Sequence, residues 1–103
     1  MAKFTVSHFA ETDLEEILLY LAENKKDLAI KLIQEMMKRF DLIANNPKIG
    51  TTKDKIIIGL RLFPFKNYNV FYFQTESGVE IYRVLHNLRN NIQVFDDAID
   101  DIK

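Results

Sequence analysis

Apolar residues in the first half of the chain recur at helical spacing, and those of the second half cluster in short runs. Leu14, Ile17, Leu18 and Leu21 fall at i, i+3, i+4 and i+7, one stripe of an amphipathic helix. Ser7 precedes it as an N-cap, and Glu11, Asp13, Glu15 and Glu16 crowd its early turns, where the helix dipole favours negative charge. Asn24-Lys25-Lys26 interrupts the stripe, and Asp27 is the expected cap of a second helix. There Ala29, Leu32, Ile33, Met36, Met37, Phe40 and Ile43 keep helical register until Asn45-Asn46-Pro47 ends it. Leu32, Met36 and Phe40 are expected on its buried side. So short a break predicts an antiparallel helical hairpin.

Beyond Gly50, three runs rich in Ile, Val, Tyr and Phe read as strands: Ile56–Phe63, Tyr68–Phe73 and Val79–His86. Pro64-Phe65-Lys66-Asn67 and Thr75-Glu76-Ser77-Gly78 are the hairpin-sized turns between them. With a short opening strand at Lys3–Val6, the order is β-α-α-β-β-β. This is an α+β domain in which the hairpin packs on one face of a curved, mainly antiparallel sheet. A chain of 103 residues suits one domain, residues 1–103, with an acidic tail over about 96–103.

Composition removes most chemistry. There is no cysteine, so no disulfide, thiolate metal site or cysteine nucleophile, and a reducing cytoplasm is the expected compartment. No stretch approaches a membrane span, and the first six residues lack the apolar core of a secretory signal. Glycine occurs only at 50, 59 and 78, too sparsely for a phosphate loop. Histidine occurs only at 8 and 86, and serine only at 7 and 77, so neither a metal site nor a cofactor site is expected.

Net charge is −1, unlike a general nucleic-acid binder, and direct nucleic-acid binding is not expected. Its distribution is uneven. Residues 51–95 carry six cations against three acids, and the tail then has Asp96, Asp97, Asp100 and Asp101 against Lys103.

The remaining candidates sit on the last strands. Arg61 lies in Gly59-Leu60-Arg61, and Arg83 and His86 lie in Tyr82-Arg83-Val84-Leu85-His86, followed by Arg89. Strand alternation puts Arg83 with Ile81 and Leu85, and His86 with Tyr82 and Val84. Arg83 then interrupts an apolar face. It either pairs with an acid, with Glu80 or the acidic tail as candidates, or serves a binding groove. Phe71, Tyr72 and Phe73 read as sheet core rather than a base-stacking platform.

The ordered set of landmarks resembles the ParE/RelE toxin superfamily, its ParE-like branch most. They are Ala10-x-x-Asp13-Leu14-x-x-Ile17-x-x-Tyr20, Asn46-Pro47-x-x-Gly50, Gly59-Leu60-Arg61, Tyr68-x-Val70-x-Tyr72 and Ile81-x-Arg83-Val84-Leu85-His86-x-x-Arg89. The resemblance implies the toxin of a type II toxin–antitoxin system, of the plasmid-stabilisation kind. An antitoxin's C-terminal segment would wrap it, with a heterotetramer among the assemblies this allows.

The ParE-like branch implies poisoning of DNA gyrase without catalysis. The RelE-like branch implies ribosome-dependent cleavage of messenger RNA, with Arg61, Arg83 and His86 as the catalytic set. A degenerate toxin fold that only binds its partner is a third reading. Low net charge and a long, uninterrupted hairpin favour the first. Arg61, Tyr68, Arg83, His86 and Arg89 are then the expected partner- or target-binding residues, with carboxylates of the antitoxin on Arg61 and Arg83. Asn90 departs from the aspartate that often follows the arginine in the family.

Overall fold

The computed structural model describes residues 2–87 and 94–95. Arg89, Asn90 and the acidic tail lie outside them. The elements are β1 (Lys3–Val6), α1 (His8–Ala22), α2 (Lys26–Asn45), β2 (Thr51–Thr52), β3 (Leu60–Phe65), β4 (Tyr68–Gln74) and β5 (Gly78–His86). They form one five-stranded sheet in the order β1-β5-β4-β3-β2. The β1–β5 pair is parallel and the other three are antiparallel. The α+β architecture expected from the hydrophobic pattern is the one observed.

Ser7 caps α1 as its position suggests, its hydroxyl accepting from the Ala10 amide at 3.1 Å. The inward arc of α1 is centred on Ala10, Asp13, Leu14 and Ile17, and Ala10 and Asp13 are fully buried. Leu18 stands about 100° round the helix from Ile17. That puts it on the rim, 38% exposed, rather than in the stripe. Asp27 does not cap α2. Lys25 holds that position without a side-chain bond, and Asp27 lies in the first turn, where the dipole still favours it. Met36 and Phe40 are fully buried and Leu32 packs partly buried beside them.

The strand boundaries differ where turn chemistry outweighs β propensity. Ile56 to Gly59 are turns, not strand. The Lys53 carbonyl accepts from the Ile56 and Ile57 amides, and the Asp54 carboxylate accepts from the Gly59 amide at 2.8 Å. Gly59 has φ +88, which a β-branched residue would resist. β3 therefore starts at Leu60 and continues through Pro64 and Phe65. Proline is tolerated there because β2 covers only Arg61 and Leu62, leaving the outer side of Pro64 an edge. The turn shrinks to Lys66-Asn67, with Lys66 at φ +53 as primed hairpin turns require.

Both faces of the sheet are covered. On the helical face Phe40, Met36 and Ile43 pack against Val70, Tyr72, Val79, Ile81 and Val84. On the other face Leu60, Phe71 and Leu85 surround Phe95, with Ile56, Ile57 and Tyr82 beside them. The Phe95 ring lies 4.8 Å from that of Phe71, edge-on, and stacks on Tyr82 at 6.0 Å. Phe71 and Tyr72, adjacent in sequence, thus serve two separate cores, and Phe73 is half-buried against the outer one. No helix among the described residues is long and apolar enough to cross a membrane.

Truncating Phe40 to alanine empties the centre of the helical face and should cost about 3–5 kcal/mol. Phe95→Ala should cost a similar amount, because its ring fills the outer core. Chemical denaturation of both variants checks this, and an unchanged midpoint for Phe95→Ala would remove the outer core from the account.

Candidate functional site

β1 ends at Val6, but β5 runs on to His86, so β5 outlasts its parallel neighbour by five residues. The backbone groups along that exposed edge need partners. The start of α1 supplies them. The Ser7 amide donates to the Ile81 carbonyl at 2.9 Å, and the Ser7 hydroxyl donates to the Tyr82 carbonyl at 2.7 Å. One turn later the Asp13 carboxylate accepts from the Val84 amide at 3.0 Å.

The same carboxylate takes both arms of Arg83. Nε donates to Oδ2 at 2.8 Å and Nη2 to Oδ1 at 2.9 Å. The side chains are 13% and 5% exposed, so this is a largely desolvated, bidentate pair. The Phe9 ring lies 5.9 Å from the guanidinium carbon. Among the described residues the acid partner is not Glu80 but a residue of α1; the tail candidates lie outside them.

Simple alternation fails at this point because β5 carries a bulge. Tyr72 is opposite Ile81 and Phe71 is opposite Arg83, leaving Tyr82 as the extra residue. The bulge puts Arg83 out of step with Ile81 while it keeps the register of Leu85, and it separates Tyr82 from Val84 and His86. The Arg83 side chain reaches α1 beside the β5 edge that β1 leaves open.

A second polar joint holds the chain after α2. The Tyr72 hydroxyl accepts from the Gly50 amide at 2.9 Å and donates to the Pro47 carbonyl at 2.7 Å. Burial raises the Tyr72 pKa, so the phenol stays protonated and able to donate. Arg61 Nη1 donates to the Gly50 carbonyl at 2.7 Å and to the Lys48 carbonyl at 3.2 Å. A side chain at 50 would collide with this assembly. A Cβ there would stand 2.7 Å from the Tyr72 hydroxyl and 2.8 Å from the Leu62 carbonyl.

Tyr68 and His86 come together at the far end of the sheet. They are cross-strand partners, with rings edge-on at 5.4 Å. With Glu16 and Tyr20 from α1 and Asn67 from the β3–β4 turn, they line an open cleft of about 370 Å³. The Tyr68 pKa is raised, first by burial and then by the neighbouring Tyr20 phenol.

The five sequence candidates are therefore not one site. Arg61 reaches outward past β3, Arg83 reaches the opposite way to α1, and Tyr68 with His86 faces the cleft. Arg89 lies outside the described residues. Asp13, Tyr72 and Tyr20 were not among the candidates. Asp13 had a signal, because it stands three residues after Ala10 on the inward arc of α1, where an unpaired acid would be costly. Tyr20 had one in its position within the α1 landmark. Tyr72 had one too, as the last residue of the Tyr68-x-Val70-x-Tyr72 landmark.

An α+β sheet with a helical hairpin, held by these two polar joints, is the architecture that the ParE/RelE resemblance implied. The chain matches the family model described as ParE toxin of type II toxin-antitoxin system, parDE, over residues 5–91. It is 31% identical over 87 residues to Toxin ParE1 of Mycobacterium tuberculosis, in strains CDC 1551 / Oshkosh and ATCC 25618 / H37Rv. That match spans 82% of this chain and 89% of the relative. The chain belongs to the ParE toxin family of type II toxin–antitoxin systems. Its fold is shared with a solved chain of the chromosomal ParDE system from P. aeruginosa. That match has a TM-score of 0.70 at 15% identity and covers 84% of this chain and 96% of the other.

Asp13→Ala leaves the Arg83 guanidinium and the Val84 amide stranded and should destabilise by about 3–5 kcal/mol. The double variant Asp13→Leu/Arg83→Leu should lose less than the sum of the two single changes. Denaturation midpoints of the four proteins measure the coupling, and strict additivity would contradict a direct pair.

Proposed function

We propose that this toxin inhibits DNA gyrase in the cytoplasm by binding it, without catalysis of its own, and that an antitoxin's C-terminal segment neutralises it. The observation that carries the non-catalytic half is the separation of the three residues a ribonuclease would use. Arg61 is in register with Tyr72 and Ile81, whereas His86 is in register with Tyr68 and Phe65. Four residues along β3 are about 13 Å and two strand spacings about 10 Å, so Arg61 and His86 stand roughly 16 Å apart. A proton-transferring group must sit within hydrogen-bond reach of its substrate atom, and a charge stabiliser must sit about as close. That spacing is between backbones, and the Arg61 guanidinium is bonded to the Gly50 and Lys48 carbonyls, so in this geometry one reacting phosphate does not meet both groups.

Arg83 is further occupied by Asp13, and freeing it would strand a buried carboxylate. In this reading Arg61 and Arg83 are positioning residues that hold the fold, and Tyr68 and His86 face a partner. Membership of the ParE family supports the gyrase target.

The purified chain should promote gyrase-mediated DNA breaks and leave messenger RNA intact on programmed ribosomes. His86→Ala should keep gyrase inhibition within about threefold, since no proton transfer depends on it. Supercoiling and cleavage assays alongside primer extension check both. Cuts in the ribosomal A site that vanish in His86→Ala would instead establish a ribonuclease.

A further inference from the structure

We propose that the cleft between α1 and the β4–β5 end receives a cationic side chain, an arginine or lysine, from the antitoxin. This rests on the toxin–antitoxin reading above and reverses the charge complementarity that the sequence suggested. The expected contact paired antitoxin carboxylates with Arg61 and Arg83, but both guanidiniums are directed to acceptors within the chain. What the hairpin offers to a partner has the opposite sign.

α1 carries Glu11, Asp13, Glu15 and Glu16 and no lysine or arginine between His8 and Ala22. Asp13 is satisfied by Arg83 and the Val84 amide. Glu16 stands at the cleft wall with an exposed carboxylate. Asp13, Glu16 and Tyr20 follow one another at three- and four-residue steps, so they share one flank of the helix.

Two aromatic rings complete the walls. Tyr20 is 77% exposed, and Tyr68 lines the same cleft from the sheet. An exposed tyrosine beside an acid, opposite a half-buried tyrosine, brings two aromatic rings and a carboxylate to one opening. A volume of about 370 Å³ admits one long side chain and part of its backbone.

Among the described residues, three cations gather at another place. Lys38, Arg39 and Lys66 line a different cleft, with Arg39 and Lys66 over the Phe65 ring at 5.5 and 5.7 Å. An acidic occupant of the tyrosine cleft would meet the Glu16 carboxylate. A basic one gains the carboxylate and the rings together, and its stem covers the apolar wall formed by Ile17 and Val84.

The test uses the toxin and the antitoxin encoded with it, with affinities from calorimetry on folded variants whose melting is checked. Glu16 and Tyr20 are exposed, so their replacement should leave the fold intact. Glu16→Gln should weaken binding by about 3–10-fold and Glu16→Lys by more. Tyr20→Phe, which keeps the π face, should bind within about twofold of wild type. Tyr20→Leu should lose about 3–10-fold, within the range of a cation–π contact.

Unchanged affinity for Glu16→Lys overturns the proposal, and tighter binding assigns an acidic occupant instead. Equal losses for Tyr20→Phe and Tyr20→Leu also overturn it. Binding by wild type that ignores Glu16 leaves the toxin–antitoxin reading standing. A wild-type chain that binds no such antitoxin removes both.

Discussion

The organisation of the molecule depends on one carboxylate. Asp13 is the buried polar residue of α1, and its two oxygens serve three donors: the two arms of Arg83 and the Val84 amide. A charge in that position is tolerable only because every contact is made at once. The carboxylate joins α1 to β5 beyond the point where β1 can pair, so it stands in for a missing strand. The bulge at Tyr82 lies at the same place, putting Arg83 out of step with Ile81 and leaving Tyr82 to the outer core. Helix docking, strand-edge protection and division of side chains between two faces are settled together at this joint.

The second joint, at Gly50, Arg61 and Tyr72, works on the same principle at the opposite edge of the sheet. The chain leaving α2 has carbonyls that the helix cannot satisfy, and two side chains from the sheet take them up. The landmarks that mark the ParE/RelE resemblance coincide with these joints. Ala10, Asp13 and Arg83 belong to the first, and Pro47, Gly50, Arg61 and Tyr72 to the second. Those landmarks hold the fold, whereas Tyr20, Tyr68 and His86 of the same set line the cleft. Positions that hold α1 and the post-α2 loop in place can be shared by proteins with different targets.

This arrangement changes which surface is offered to a partner. Two arginines that would otherwise make the strand region basic are absorbed into the scaffold. The surface beside them is then governed by α1, whose charged outward residues are acids, and by Tyr20 and Tyr68 at the cleft. Function in such a small fold falls to what remains after the structural interactions are satisfied: a cleft, two aromatic rings and an exposed carboxylate.

Much of this was legible in the sequence. The two helices, the Ser7 cap, the burial of Met36 and Phe40 and the strand-rich second half follow from periodicity and local turn chemistry, which depend on near neighbours only. The limits of β3 were not, because the Asp54–Gly59 closure competes with the β propensity of three consecutive isoleucines. The partner of Arg83 was hidden for a different reason. Asp13 is 70 residues away, and its use depends on how far β5 outruns β1, a property of the assembled sheet. The orientation of Arg83 was hidden too, since a bulge breaks the alternation on which any strand reading rests. The sequence determined which elements form and which residues are apolar enough to bury. Tertiary structure decided which charges are used up in holding those elements together and which are left to meet another molecule, because pairing across the fold is set by geometry rather than by residue type.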